Sequence, residues 1–361
     1  MSPPSTLPII AVVGATGNQG SGVIQALLNS NTPDGGLWHV RGITRDPNSS
    51  RAKQFLTDHQ TPDNRLSLVP GDTYDQSSLR TAFAGAHGVF AMTSERNAGR
   101  ILEKEEEMKH EVDAGTNMVL AAEECGVKHF VFSSLPDMVS VTGGRYVKIY
   151  HMDNKHEVEK IARGRLGAAV TCLIPGLFLA ILHGVLCSWM WFTDGEACVG
   201  FFYTNLVWPQ YTDRRSDGVV RFRIPIPSNQ VAQWTDPIHD MGAFAAKVFS
   251  LGSKTSGKTY LALSQRVTPE EMVATFTKVT GQPAIHEPIT AEEFGELTVP
   301  LVGPAFKEDA TEMMEWAAVA PADKVCYGAF DEDMDRSFEE LGVKASSFEE
   351  WLCRSGWTGP A

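Results

Sequence analysis

His151 and Lys155 stand four residues apart in "RYVKIYHMDNKHEVEKIARG". That is one helical turn, the spacing at which an ammonium group can tune and hold a proton-transferring neighbour. In the common version of this pair the first residue is a tyrosine, whose pKa the lysine lowers while gripping a nicotinamide ribose. Here His151 fills that place, with Tyr150 one position off and Tyr146 a turn further back. A histidine can donate a proton near neutral pH because its ordinary pKa lies close by. The competing reading makes Lys155 a surface residue paired with Glu159, four residues on, and leaves His151 in a loop. Lys before Glu is the weaker order for such a pair.

A second cluster lies near the N-terminus. In "IIAVVGATGNQGSGVIQALL" an apolar run enters Gly14, Gly17 and Gly20 and leaves as an amphipathic pattern. Glycines between a strand and a helix permit a tight turn, close approach of a pyrophosphate, and close helix–sheet packing. The helix start adds free N–H groups and a partial positive charge, so Gly14, Thr16, Gly17, Asn18, Gln19 and Gly20 are expected to bind phosphate. The next strand, "WHVRGIT", ends at Arg45, where a guanidinium would fork onto a 2′-phosphate and select NADP(H). Asp46 could instead serve NAD if the register shifts by one. Asp72, after the third strand, is expected either to accept from an adenine amino group or to form a turn. Met92 and Thr93, with Ser94, close the fourth strand over the expected nicotinamide side, where Ser and Thr are also ordinary turn formers.

These residues need a scaffold, and the hydrophobic pattern describes one. Strands are expected at 9–13, 39–44, 66–69, 88–92, 130–133 and 169–174, with helices at 19–30, 50–58, 77–84, 105–125 and 154–163. Strands this apolar have no wet face, so the expected fold is α/β, a doubly wound parallel sheet with a smaller, mostly helical C-terminal lobe. The division is a tail at 1–8, a dinucleotide-binding domain at 9–180, and lobe segments at 181–361, some of them returning to the sheet. Capping-box spacing at Thr268 and Glu271, closed by Gly281, predicts a helix, and "SSFEEWLCRSG" another. His239-Asp240 reads as a strand end with Asp240 as helix cap, and Glu103–Glu107 as a solvated helix start. Aromatics at Trp189, Trp191, Phe192, Phe201, Phe202, Tyr203, Trp208 and Tyr211 either line an apolar cleft or pack in loops.

The 361 residues carry a formal charge of −13 with no run of basic residues, which argues against direct nucleic-acid binding. Six cysteines without a C-x-x-C pair indicate neither zinc nor a disulfide framework, but reduced thiols in a cytoplasmic compartment. The charge-free stretch from Gly167 to Phe192 is long enough to span a bilayer. Pro175-Gly176 divides it, so a buried strand and a core helix are the better expectation, and no metal or membrane role follows.

Taken together, "VVGATGNQG", "ITRDP", the "GD" after the third strand, "VFSSLPD" and "HMDNKHEVEKIAR" resemble the NmrA-like family, atypical short-chain dehydrogenase/reductase proteins common in fungi. The resemblance is strong over residues 8–180 and looser at Trp234–Phe249 and "FEEWL". It implies phosphate contacts at Gly14–Gly20, the 2′-phosphate on Arg45, a ribose or nicotinamide contact at Lys155, and contacts from Pro175–Phe178, including Gly176 and Phe178. Family members often lack the tyrosine, as this chain does. The expected function is NADP(H)-dependent reduction of a small apolar carbonyl, enone or imine in fungal-type secondary metabolism, with Lys155 and His151 as catalytic residues. The alternative is a non-catalytic NADP(H) sensor acting through a protein partner, which would also place the chain in the nucleus.

Overall fold

Ile10, Ala11 and Val12 have no exposed surface, as a strand covered by helices on both faces requires. In the computed structural model, which describes residues 7–97, 99–176 and 202–360, they lie in β1 (Ile9–Val13). The chain continues through α1 (Asn18–Leu28), β2 (His39–Thr44), α2 (Ser50–His59), β3 (Leu66–Pro70), α3 (Gln76–Phe83) and β4 (Gly88–Ala91). Then come α4 (His110–Glu124), β5 (His129–Ser133), a short α5 (Met138–Val141), α6 (Tyr150–Leu166) and β6 (Val170–Pro175). Beyond residue 202 lie β7 (Thr212–Arg214), β8 (Val220–Phe222), α7 (His239–Leu251), β9 (Thr259–Ala262), α8 (Pro269–Thr280) and β10 (Ala284–His286). The helices α9 (Ala291–Val302), α10 (Lys307–Ala317), α11 (Ser337–Leu341) and α12 (Phe348–Ser355) follow.

Seven strands form one parallel sheet in the order β3-β2-β1-β4-β5-β6-β9. The order reverses between β1 and β4, and in such sheets ligands bind beyond the C-terminal strand ends at that point. Side chains of α3, α4 and α6 cover one face. The other face meets α1 and α7 and is continuous with the core of the C-terminal lobe. Gly22 and Gly242 let α1 and α7 touch: a Cβ on Gly22 would lie 1.9 Å from the Ile238 carbonyl oxygen, and one on Gly242 2.5 Å from that of Gly22. A small second sheet, β10-β8-β7, carries the lobe.

Several expectations change in detail. The helix bearing Lys155 begins at Tyr150 rather than Asn154, because an acceptor on another helix takes an N–H of its first turn. The Asp309 carboxylate of α10 accepts from the His151 N–H at 2.9 Å. His151 is therefore helical, not in a loop. Asp240 does not cap α7. Asp236 accepts from the Ile238 and His239 N–H groups, while Asp240 accepts from Asp236 and Ser346. The 105–125 helix is interrupted, with a 3₁₀ turn at Glu105–Lys109 before α4. The expected capping box forms at Thr268/Glu271, and the C-terminal helix has one as well, at Ser347/Glu350. Val170–Pro175 of the charge-free stretch is β6, and its remainder after Gly176 lies outside the described residues. No helix among the described residues is long and apolar enough to cross a membrane.

Candidate functional site

Gly14 adopts φ 69°, a left-handed conformation that glycine takes without strain. The Gly17 N–H closes the turn onto the Gly14 carbonyl at 2.9 Å, and the Ala15 N–H reaches the Ile43 carbonyl at 3.0 Å. Gly20 packs the helix on the turn: a Cβ there would stand 2.1 Å from the Gly14 oxygen. Gly17, which has no side chain to offer, then serves as N-cap of α1. Gln19 is buried and neither of its amide atoms has a hydrogen-bond partner. A helix start at a glycine N-cap beside an orphaned buried amide is the donor set that a dinucleotide phosphate satisfies.

The start of this turn, Val13 to Thr16, forms one wall of a cleft of ≈ 680 Å³ over the C-terminal ends of β1 to β4, while Gly17, Asn18, Gln19 and Gly20 are not among its lining residues. Gly14, Thr16, Arg45, Asp72, Met92 and Thr93 all line it, joined by Ser49, Ser50, Arg51, Tyr74 and Arg96. The Arg51 guanidinium donates to the Thr16 carbonyl, tying the start of α2 to the glycine turn. Asp72 accepts from the Tyr74 N–H at 2.9 Å. Tyr74 in turn bonds His110 Nδ1 at 2.6 Å, and His110 Nε2 bonds the Glu95 carbonyl at 2.8 Å. Burial raises the Tyr74 hydroxyl above its ordinary pKa, and the Glu111 carboxylate adds to the rise.

Behind Thr93 the character changes. The Thr93 hydroxyl donates to Glu111 Oε1 at 2.6 Å, and the same carboxylate pairs with Lys155. Glu95 Oε2 stands 3.9 Å from Lys155 Nζ. All four residues are buried, so one ammonium faces two carboxylates out of water. Lys155 thus pairs with Glu111 from α4 and not with Glu159, which pairs with Arg163. His151 is also fully buried. Its Nδ1 and its backbone N–H meet the two oxygens of Asp309 at 2.6 and 2.9 Å, while Nε2 has no hydrogen-bond partner. The displaced tyrosine, Tyr150, donates to Glu105 at 2.7 Å; burial and this bond raise its pKa.

The model of the NmrA-like family matches residues 8–196 and 192–352. The chain belongs to the NmrA-like family. An NmrA-like family domain-containing oxidoreductase, FrzB of a Cladobotryum species, is 30% identical over 287 residues, covering 78% of this chain and 76% of FrzB. Among solved structures, the negative transcriptional regulator NmrA in complex with NAD superimposes with a TM-score of 0.69 at 18% identity, covering 96% of this chain and 94% of NmrA. The NADPH-dependent quinone oxidoreductase QOR2 of Escherichia coli, complexed with NADPH, gives 0.65 at 18% identity, over 96% and 100%. The fold is the NAD(P)-binding Rossmann architecture of this family.

Against that frame, the NmrA-like chain separates its sequence-marked residues. Neither Lys155 nor His151 is among the residues lining the cleft. Gly176 sits at the end of β6, its N–H donating to Thr235 Oγ1 at 2.6 Å, and a Cβ there would meet the Trp234 backbone at 2.9 Å. Phe178 lies outside the described residues, as do Trp189, Trp191, Phe192 and Phe201. Phe202, Tyr203, Trp208 and Tyr211 are buried rather than cleft-lining, with Tyr203 stacked on Trp234, Phe348 and Trp351. Glu111, Glu95, Arg96, Tyr74 and Asp309 escaped the sequence reading. Only Tyr74, two residues after Asp72, carried a local signal.

Proposed function

We propose that this chain is an NADP(H)-dependent oxidoreductase reducing a small, apolar carbonyl, enone or imine, of the kind made in fungal-type secondary metabolism. The observation that carries the reading is the cleft in which Arg45, Ser49, Ser50 and Arg51 face the glycine turn. A 2′-phosphate at the end of β2 fits that charged and hydroxyl-rich rim. The turn from Gly14 to Gly20, with Thr16, Asn18 and Gln19, holds the pyrophosphate. Arg45 takes the 2′-phosphate, and Asp72 the adenine side. Met92, Thr93 and Gly176 bound the nicotinamide end, for which the family resemblance also implies Phe178. A bound dinucleotide would supply the hydride, and the His151 imidazolium would give up its Nε2 proton by way of a water, since the ring does not line the cleft. Lys155, expected from the sequence to touch the ribose itself, acts in this reading one step back, through Glu111 and the Thr93 hydroxyl. The oxidoreductase description of FrzB and the NADPH complex of QOR2 support this assignment.

Calorimetric titration tests the cofactor. NADPH should bind about tenfold or more tightly than NADH, the worth of one charge-assisted phosphate contact, and Arg45→Ala should erase the difference. Equal affinities in the unaltered protein would overturn the role of Arg45. Loss of nicotinamide absorbance with an aryl aldehyde, a cyclic enone, a cyclic imine or a quinone tests the chemistry. Tight binding without oxidation across that panel would select the non-catalytic regulator.

A further inference from the structure

The buried His151–Asp309 pair joins α6 of the sheet domain to α10 of the C-terminal lobe across 158 positions of sequence. Asp309 has no exposed surface, and it spends both oxygens on one residue: Oδ1 on the ring Nδ1 at 2.6 Å, Oδ2 on the backbone N–H at 2.9 Å. A carboxylate in that position demands a proton on Nδ1. The neutral ring must then carry its lone pair on Nε2, and only the imidazolium carries a proton there. Nε2 is the buried atom without a partner. Leaving a buried polar atom unpaired costs about 1–3 kcal/mol, and a catalytic role is one of the explanations for such an atom.

We propose that Asp309 is the positioning residue of the reaction, fixing the tautomer and orientation of His151 so that Nε2 is the proton-exchanging atom. The proposal rests on the reading of His151 as proton donor. It adds that the donor is complete only when the C-terminal lobe is docked. Three other contacts bear on the same turn. Glu312 of α10 accepts from the Lys148 N–H at 2.7 Å, and Lys155 Nζ lies 3.5 Å from the His151 carbonyl. Asp153 is on the same helix and accepts from the Met138 N–H at 2.6 Å. Of these groups only Asp309 touches the imidazole ring, so only its loss changes which nitrogen is protonated.

Nitrogen NMR of the full chain, labelled in its histidine rings, reads the tautomer without any substrate, and His151→Asn assigns the signal. Once the ring has lost its second proton, the unaltered protein should show His151 with a protonated-type Nδ1 and a lone-pair-type Nε2, the Nε2 proton being the one given up. Asp309→Asn, which can offer either an acceptor or a donor to the ring, should lose that single-tautomer signature. Glu312→Gln weakens a neighbouring contact, from α10 to the loop before α6, and should leave the signature intact. A proton on Nε2 of the neutral ring in the unaltered protein would overturn the proposal. So would a signature that survives in Asp309→Asn, or one lost equally in Glu312→Gln. A fixed tautomer with no oxidation of NADPH across the panel would instead fail the reductase reading and, with it, the part of Asp309 in a reaction, leaving only its hold on the His151 ring.

Discussion

The two ends of the candidate site are built in opposite ways. The glycine-turn end is an open cleft assembled within the first 114 residues, lined by arginines, hydroxyls and backbone donors. The Lys155–His151 end is closed and rich in carboxylates, and it draws side chains from the loop after β4 and from α4, α6 and α10. An open rim can bind and select an anion at little cost to folding. A buried charged cluster must be satisfied before anything binds, so its members hold the fold and the chemistry together. Substitutions at the closed end should therefore register first in stability. Substitutions at the rim should register in affinity.

The sharpest way to break this contrast is Lys155→Met, which strands Glu111 and Glu95 without their ammonium. Chemical denaturation should show a loss of about 3–5 kcal/mol, partly recovered by adding Glu111→Gln. A loss below about 1 kcal/mol would mean that the cluster is not sealed. Gly20→Ala should come next, because its Cβ collides with the Gly14 carbonyl. About 1–3 kcal/mol of destabilisation is expected, together with loss of NADPH binding, since the strained contact is the phosphate turn itself. Arg45→Ala, by comparison, should change stability by no more than about 0.5 kcal/mol.

The smallest effect tests the acid environment of α6. Burial pushes the Asp153 carboxyl up to about 6 against the lowering bonds from the Met138 and Val139 N–H groups. The folded chain then keeps a proton that the unfolded chain releases near 3.8. The folded state binds more protons in that window, so stability falls as pH rises from about 4 to about 6. Asp153→Asn should flatten this slope and be more stable at neutral pH by about 1 kcal/mol, after allowance for partial exposure. Urea midpoints at several pH values would show it.

The same contrast explains what was legible in the sequence. The glycine turn, the strand of β2 and the Thr268/Glu271 capping box are local patterns, spanning a dozen residues or fewer, and spacing alone reads them. The helix start before Lys155 was misplaced by a turn because its acceptor, Asp309, comes from another helix. Glu111 looked like an ordinary acidic residue in a helical first turn, where it suits the dipole. Its partnership with Lys155, 44 residues away, has no local signature. β9 joins the sheet from residue 259 by the same kind of long-range pairing. Aromatic clusters are equally ambiguous in sequence: Tyr203 and Trp208 pack in the core, and nothing in their spacing separates that from a substrate cleft.

In the proposed reaction the open and closed ends meet at the nicotinamide. A crystal structure of the chain with NADP⁺ and a non-reacting enone tests it most directly. The pyrophosphate should lie on the Gly14–Gly20 turn and the nicotinamide over Thr93. His151 Nε2 should stand within ~3.5 Å of the enone oxygen, or one water away. A nicotinamide resting away from Thr93, with His151 Nε2 sealed from the enone by protein, would contradict the account.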